Sequence, residues 1–229
     1  MALGYGVCHQ LPERSFISGG FQQPVCARCS GIYVGTIFVL VALFFLYRWR
    51  RKPATSYDER FQAQIHWTYW IFLGLALAAM AYDGVSSYAQ LRPTTDTIRL
   101  LTGLAVGGAL AVLLFALLSE TLLKPRVSRK VLSRPRDWAL FLGVLIVGGV
   151  IDEPLGQVLG PVVPLLVTVC LVATYTVIVL VVLGLFKRFT HKVNRPRDAL
   201  FPVLIAVVIA LFLLIFFALG KVALLSWLT

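Results

Sequence analysis

Charged side chains are scarce in this sequence: Asp, Glu, Lys and Arg make up 14% of it, while 59% of residues are hydrophobic and the mean hydropathy is +0.86. That deficit excludes an ordinary soluble domain, because a chain of 229 residues cannot enclose so much apolar surface in its own interior. For much of its length the solvent is lipid. Also missing are a phosphate-cradling loop, a dinucleotide fingerprint, a nucleophile elbow and a zinc-protease helix, which removes the enzyme classes those motifs carry. Residues 1–21 lack a basic start followed by an apolar core, so no cleavable signal peptide is expected and export of the tail falls to the first membrane helix. The net charge of +11 does not imply nucleic acid as a partner, since Lys and Arg gather between apolar runs and no groove-reading module is present.

What is present is a series of six apolar runs, at 31–47, 67–82, 98–118, 138–151, 161–186 and 199–225, separated by basic or polar segments. About 20 largely apolar residues cross a bilayer core as a helix. The expected fold is therefore all-α, a polytopic membrane bundle of six transmembrane helices over 31–229, preceded by a polar tail over 1–30. The second and fourth runs reach spanning length only with flanking residues such as His66, Asp83, Asp137 and Asp152 at their ends. Basic residues crowd the first, third and fifth connections, as in Arg50-Arg51-Lys52, Arg129-Lys130 and Lys187-Arg188. By the positive-inside rule that side is cytoplasmic, where it meets anionic lipid, and both termini are extracytoplasmic at the cell membrane. Gly31 with Gly35, Gly74 with Ala78, Gly103 with Gly107 and Gly156 with Gly160 are small pairs four apart, the spacing that lets helix backbones approach.

Arg134-Pro135-Arg136-Asp137 and Arg195-Pro196-Arg197-Asp198 repeat just before two of the runs. Proline and aspartate suit a first helical turn, so the echo reads as start-of-helix chemistry, with a duplicated helical hairpin as the alternative.

Three of the four cysteines, Cys8, Cys26 and Cys29, lie before or at the first run, with His9 beside the first of them. Cys26 and Cys29 are one turn apart, a spacing at which two sulfurs meet one ion or oxidise to each other. With Cys8 and His9 they make a candidate Cys3His site for zinc or another transition metal. A disulfide bracing the tail and a reactive Cys-x-x-Cys, its thiols favoured as thiolates by Arg28 and the helix start, are the competing readings. Cys170, alone in an apolar run, reads as a buried hydrophobe. Asp83 closes the second run and is the best candidate for a buried acid, with Arg99 its expected partner; together with Arg28 they form a candidate site for a small polar ligand on the same outer face. His66 and His191 read as solvated interfacial groups.

Cys8-His9-Gln10, Pro12-Glu13-Arg14-Ser15-Phe16, Pro24-Val25-Cys26-Ala27-Arg28-Cys29, Gly31-Ile32-Tyr33 and Gly35 resemble a family of uncharacterised prokaryotic multi-pass membrane proteins, domain of unknown function 2085. Weaker agreement follows at Asp83-Gly84 and from Arg99 to Gly103, so the resemblance covers roughly the first half of the chain. This chain departs from the family pattern at Ser30, where threonine is usual, and at Asp96, where asparagine is expected. The resemblance implies a shared outer-face site and no particular activity. Three functions follow as expectations: a metal or small-ligand site with transport, a membrane thiol-disulfide oxidoreductase working through Cys26 and Cys29, and a structural or assembly protein with a braced tail.

Overall fold

The structure is a computed structural model that describes residues 2–49, 65–89, 91–121, 131–186 and 200–228. Each expected apolar run becomes a long helix: α2 (Ala27–Trp49), α3 (Trp67–Tyr88), α4 (Asp96–Thr121), α5 (Pro135–Asp152), α7 (Val162–Gly184) and α8 (Leu200–Leu228). Two short helices, α1 (Ala2–Tyr5) and α6 (Pro154–Leu159), belong to the tail and to the α5–α7 connection. The protein is thus a polytopic helical membrane bundle. Five of the long helices, α2, α3, α4, α7 and α8, are long and apolar enough to cross a membrane. α5 has 18 residues and includes Arg136, Asp137 and Asp152; at 1.5 Å per residue it is about 27 Å long. It runs antiparallel to α2 for most of that helix: Asp137 lies by Leu46 at one end, and Asp152 bonds Ser30 at the other.

The helix starts have local causes. α5 opens on Pro135, whose missing N–H is no loss in a first turn, and Asp137 Oδ2 accepts a hydrogen bond from the Arg134 backbone N–H at 3.3 Å. The second copy of that motif, 195–198, lies outside the described residues, as do His191 and most of the three basic connections. His66 caps α3 by accepting from the Thr68 N–H. α2 starts four residues before the apolar run itself, at Ala27, so Cys29 and Ser30 are helical rather than tail residues. No residue in Ala27-Arg28-Cys29-Ser30 opposes a helix, and the Ser30 N–H already bonds the Cys26 carbonyl at 2.9 Å.

α2 and α4 form the central pair, and glycines set their separation. A Cβ on Gly103 would lie 2.2 Å from the Arg28 carbonyl oxygen, and one on Gly107 would lie 2.3 Å from that of Ile32. From the other side, a Cβ on Gly31 would lie 2.4 Å from the Leu100 oxygen. Side chains cannot occupy those positions, so backbone packs on backbone. Interhelical hydrogen bonds reinforce the contact: Thr36 Oγ1 donates to the Gly107 carbonyl at 3.1 Å, and the Tyr69 hydroxyl on α3 donates to the Ala109 carbonyl at 2.8 Å. The expected pairs on α2 and α4 are therefore packing devices. Gly74 is different: nothing would meet a Cβ there within 4 Å, so its pair with Ala78 stands at no close helix contact. Gly156 and Gly160 serve the tail instead, lying against Ser18 and Gly19.

The tail folds back over this end of the bundle as a two-stranded hairpin, Ile17–Ser18 paired with Phe21–Gln22. Gly19 and Gly20, both at positive φ (56° and 83°), make its two-residue turn. Large apolar side chains such as Leu75, Ile146, Leu204 and Phe212 stay exposed on the outside of the helices, the surface that lipid covers.

Candidate metal centre

The starts of α2, α4 and α7 and the ends of α3, α5 and α8 share one end of the bundle, and the tail is seated there. Cys8 follows α1, its N–H bonded to the Gly4 carbonyl at 3.0 Å. Cys26 immediately precedes α2 and Cys29 lies in its first turn. These placements gather three free thiols: the Sγ atoms of Cys8, Cys26 and Cys29 all lie within 4.8 Å of one another. Cys8 is buried and the other two are half-buried. The Cys26 N–H points at the Cys8 sulfur, 3.2 Å away. Hydrogen bonds from the thiols of Cys26 and then Cys29 favour the thiolate at Cys8 and lower its pKa against the opposing effect of burial, while the same contacts keep Cys29 a thiol.

Three thiols so placed fit a soft cation. With Zn–S bonds of about 2.3 Å, two sulfurs on one zinc stand roughly 3.8 Å apart, inside the spread this cluster allows. The chain brings three sulfurs to that point. His9, expected as the fourth ligand, has an exposed side chain and stands outside the group of mutually close ligand atoms. Adjacent residues project in different directions, and here Cys8 takes the inward one. Three protein ligands leave a coordination position for water or an incoming group, which separates an exchanging site from a closed structural one.

Asp83 is buried, as expected of the acid closing the second run, but its partner differs. Arg28 Nη2 pairs with Asp83 Oδ2, and Arg92 Nη2 lies 3.3 Å from Oδ1. Arg99 instead holds Asp96 at 2.8 Å, because positions three apart in the first turn of α4 lie on one face. The expected Asp83–Arg99 pair is corrected accordingly. Asp83 is linked to the cysteine segment through Arg28, which stands between Cys26 and Cys29 in the chain.

Two further contributors were not legible as site residues. Lys221, the single charged residue in α8, donates from Nζ to the carbonyls of Cys8 (2.9 Å) and Tyr5 (3.0 Å) and lies 4.3 Å from the Tyr5 ring centroid. One lysine in a 29-residue apolar helix was the available signal. Gln10 donates to the Pro24 carbonyl, tying the Cys8 loop to the segment before Cys26. Lys221→Met keeps the apolar stem and removes the donor. It is expected to weaken tail docking by about 1–3 kcal/mol and to raise the alkylation rate of Cys8 in detergent; an unchanged rate would mean that Lys221 does not hold the loop.

Comparison with known proteins places the tail, α2, α3 and most of α4 in the shared part of the chain. The family model described as a predicted membrane protein, DUF2085, matches residues 8–113, which include all three clustered cysteines, Asp83 and the α2–α4 pair. An uncharacterized protein of Methanocaldococcus jannaschii is 32% identical over 118 residues, covering 52% of this chain and 67% of that protein. Another, from Methanothermobacter thermautotrophicus, is 33% identical over 108 residues, covering 47% of this chain and 83% of its own length. No solved structure matches the chain.

Proposed function

The chain belongs to the DUF2085 family of predicted membrane proteins, and from that premise we propose that it binds one soft transition-metal ion, zinc or a chemically similar ion, through Cys8, Cys26 and Cys29. The mutual approach of the three sulfurs to within 4.8 Å carries the reading. It is supported by the hydrogen bonds that favour thiolate at Cys8, since thiolate is the metal-binding form; the other two thiols would lose their protons on binding the ion. With His9 outside the cluster, the fourth position is open, which suits an ion that is taken up and passed on; transport or metal-dependent sensing fits that chemistry better than a bracing role. Arg28, Asp83 and Arg99 do not bind the ion in this account. Arg28 and Asp83 pin the start of α2 to α3, and Arg99 closes on Asp96 at the rim.

The positive-inside rule puts the tail, the thiols and both termini on the extracytoplasmic side. A membrane-impermeant thiol reagent on intact cells is expected to reach a cysteine introduced at the exposed Glu13 and not one at Ser128 in the third connection. The reverse pattern would turn the protein over.

The metal reading is tested by metal analysis of the purified chain together with a count of free thiols. The expected result is one equivalent of metal, with the three clustered thiols protected until a chelator is added. Metal-free protein whose Cys26 and Cys29 cycle between thiol and disulfide during turnover would establish the oxidoreductase instead.

A further inference from the structure

A second buried polar group stands beside the thiol cluster, at the end of α5. Asp152 is 1% exposed, and two neutral donors hold its carboxylate: Gln23 Nε2 bonds Oδ1 at 2.8 Å and Ser30 Oγ bonds Oδ2. No Lys or Arg among the described residues forms an ion pair with it, in contrast to Asp83, which has two arginines. Gln23 is also 1% exposed, and its Oε1 is buried with no hydrogen-bond partner among the described residues. The Gln23 side chain is fixed on Asp152 through Nε2, so the orphan oxygen belongs to the same small site.

A carboxylate in a membrane bundle is costly to keep ionised without a positive charge beside it. The groups facing Asp152 do not supply one. The tail presents Gln23 and α2 presents Ser30. α7 brings Cys170 within electrostatic reach, and the next residue, Glu153, is acidic and bonded to Thr97 on α4. Of the charged groups on α4, Arg99 and Asp96 pair with each other. What the site offers is one negative charge, an unpaired amide oxygen and a hydroxyl, all hard oxygen ligands and none of them a thiol. That set selects against the soft ion proposed above.

We infer that Asp152, Gln23 and Ser30 form a separate site that takes up one unit of positive charge, either a proton or a sodium-sized cation. A proton would sit on a carboxylate oxygen and give the Gln23 amide, turned over, a donor for Oε1; O and N of an amide exchange places without change of shape. A monovalent metal ion would take the carboxylate, Oε1 and the Ser30 hydroxyl as ligands. Because Ser30 follows Cys29 directly and Gln23 lies three residues before Cys26, occupancy here bears on the segment that carries two of the three thiols.

Thermal unfolding of the purified full chain in detergent, followed by tryptophan fluorescence with a transition-metal chelator present throughout, separates this site from the thiols. In choline chloride at pH 8 the wild type is expected to melt lowest. A rise in Tm on adding sodium identifies the metal ion. A rise on lowering the pH to 6 without sodium identifies the proton. Either rise should be on the order of 3 °C when the cation is about tenfold above its Kd, and should vanish in Asp152→Asn. Should that variant not fold, Gln23→Glu, which adds a second carboxylate, is expected to enlarge the rise. A wild-type Tm indifferent to both sodium and pH, a response that persists in Asp152→Asn, or a Gln23→Glu response no larger than wild type overturns the inference.

Discussion

Leucine at Gly103 or Gly107 is expected to abolish most of the recoverable folded protein and to lower the Tm of the remainder by on the order of 10 °C. The atoms that a Cβ would strike are the carbonyl oxygens of Arg28 and Ile32, at 2.2 and 2.3 Å. A flexible side chain could turn away, but a helical carbonyl moves only with its helix. Overpacking against side chains costs typically about 1–3 kcal/mol, and here α2 must leave α4 altogether. That movement also breaks the bond from Thr36 to Gly107 and shifts Cys29, one residue from the contact at Arg28. Gly74→Leu supplies the control, since nothing lies within 4 Å of a Cβ there and the helix face is open to lipid. Size-exclusion yield and thermal unfolding in detergent read both variants. Equal behaviour of Gly74→Leu and Gly107→Leu would mean that α2 and α4 do not meet backbone to backbone.

Serine at Cys8, Cys26 or Cys29 is expected to lower affinity for zinc by more than the 10–100-fold that loss of an outer-shell partner costs, because each substitution removes a thiolate bonded to the ion. Serine at Cys170 is expected to change it little: that thiol is buried in α7 and is not one of the three clustered sulfurs. Competition against a chromophoric chelator measures all four variants. The three effects should be similar in size, since three ligands of one ion share one site. A large effect at Cys26 and Cys29 with none at Cys8 would reduce the cluster to a pair and favour thiol-disulfide chemistry. His9→Ala is expected to bind zinc nearly as wild type does, which distinguishes a three-thiol site from the Cys3His site suggested by the order of residues alone.

The parts of this molecule that depend on periodic or compositional signals were legible in the sequence. Apolar runs gave all six long helices, because every span must be apolar outside; of the four small-residue pairs, those of α2 and α4 meet, while spacing alone did not distinguish them from the pairs at Gly74 and Gly156. The Cys8, Cys26 and Cys29 grouping was legible because 17 intervening residues, Gly19-Gly20 among them, are enough to turn the tail back on itself. Pairings that depend on the rotation of one helix against another were not. Whether Asp83 meets Arg99 or Arg28 is decided by how α2 and α3 are turned where both pack on α4, and spacing along the chain does not encode it. Asp152 read as a helix end beside Glu153. Its carboxylate is enclosed by groups far away in the chain, Gln23 from the tail, 129 residues away, and Ser30 from α2. Nor does the sequence tie Lys221 to the tail; α8 brings it under the carbonyl of Cys8.

Binding of one ion by three thiolates of this chain is tested most directly by X-ray absorption at the zinc edge of the purified, zinc-loaded protein. Three sulfur scatterers at about 2.3 Å and one lighter oxygen or nitrogen scatterer in the remaining position are expected. A zinc shell of oxygen and nitrogen alone, or zinc that gives the same spectrum in the Cys8→Ser variant, would contradict it.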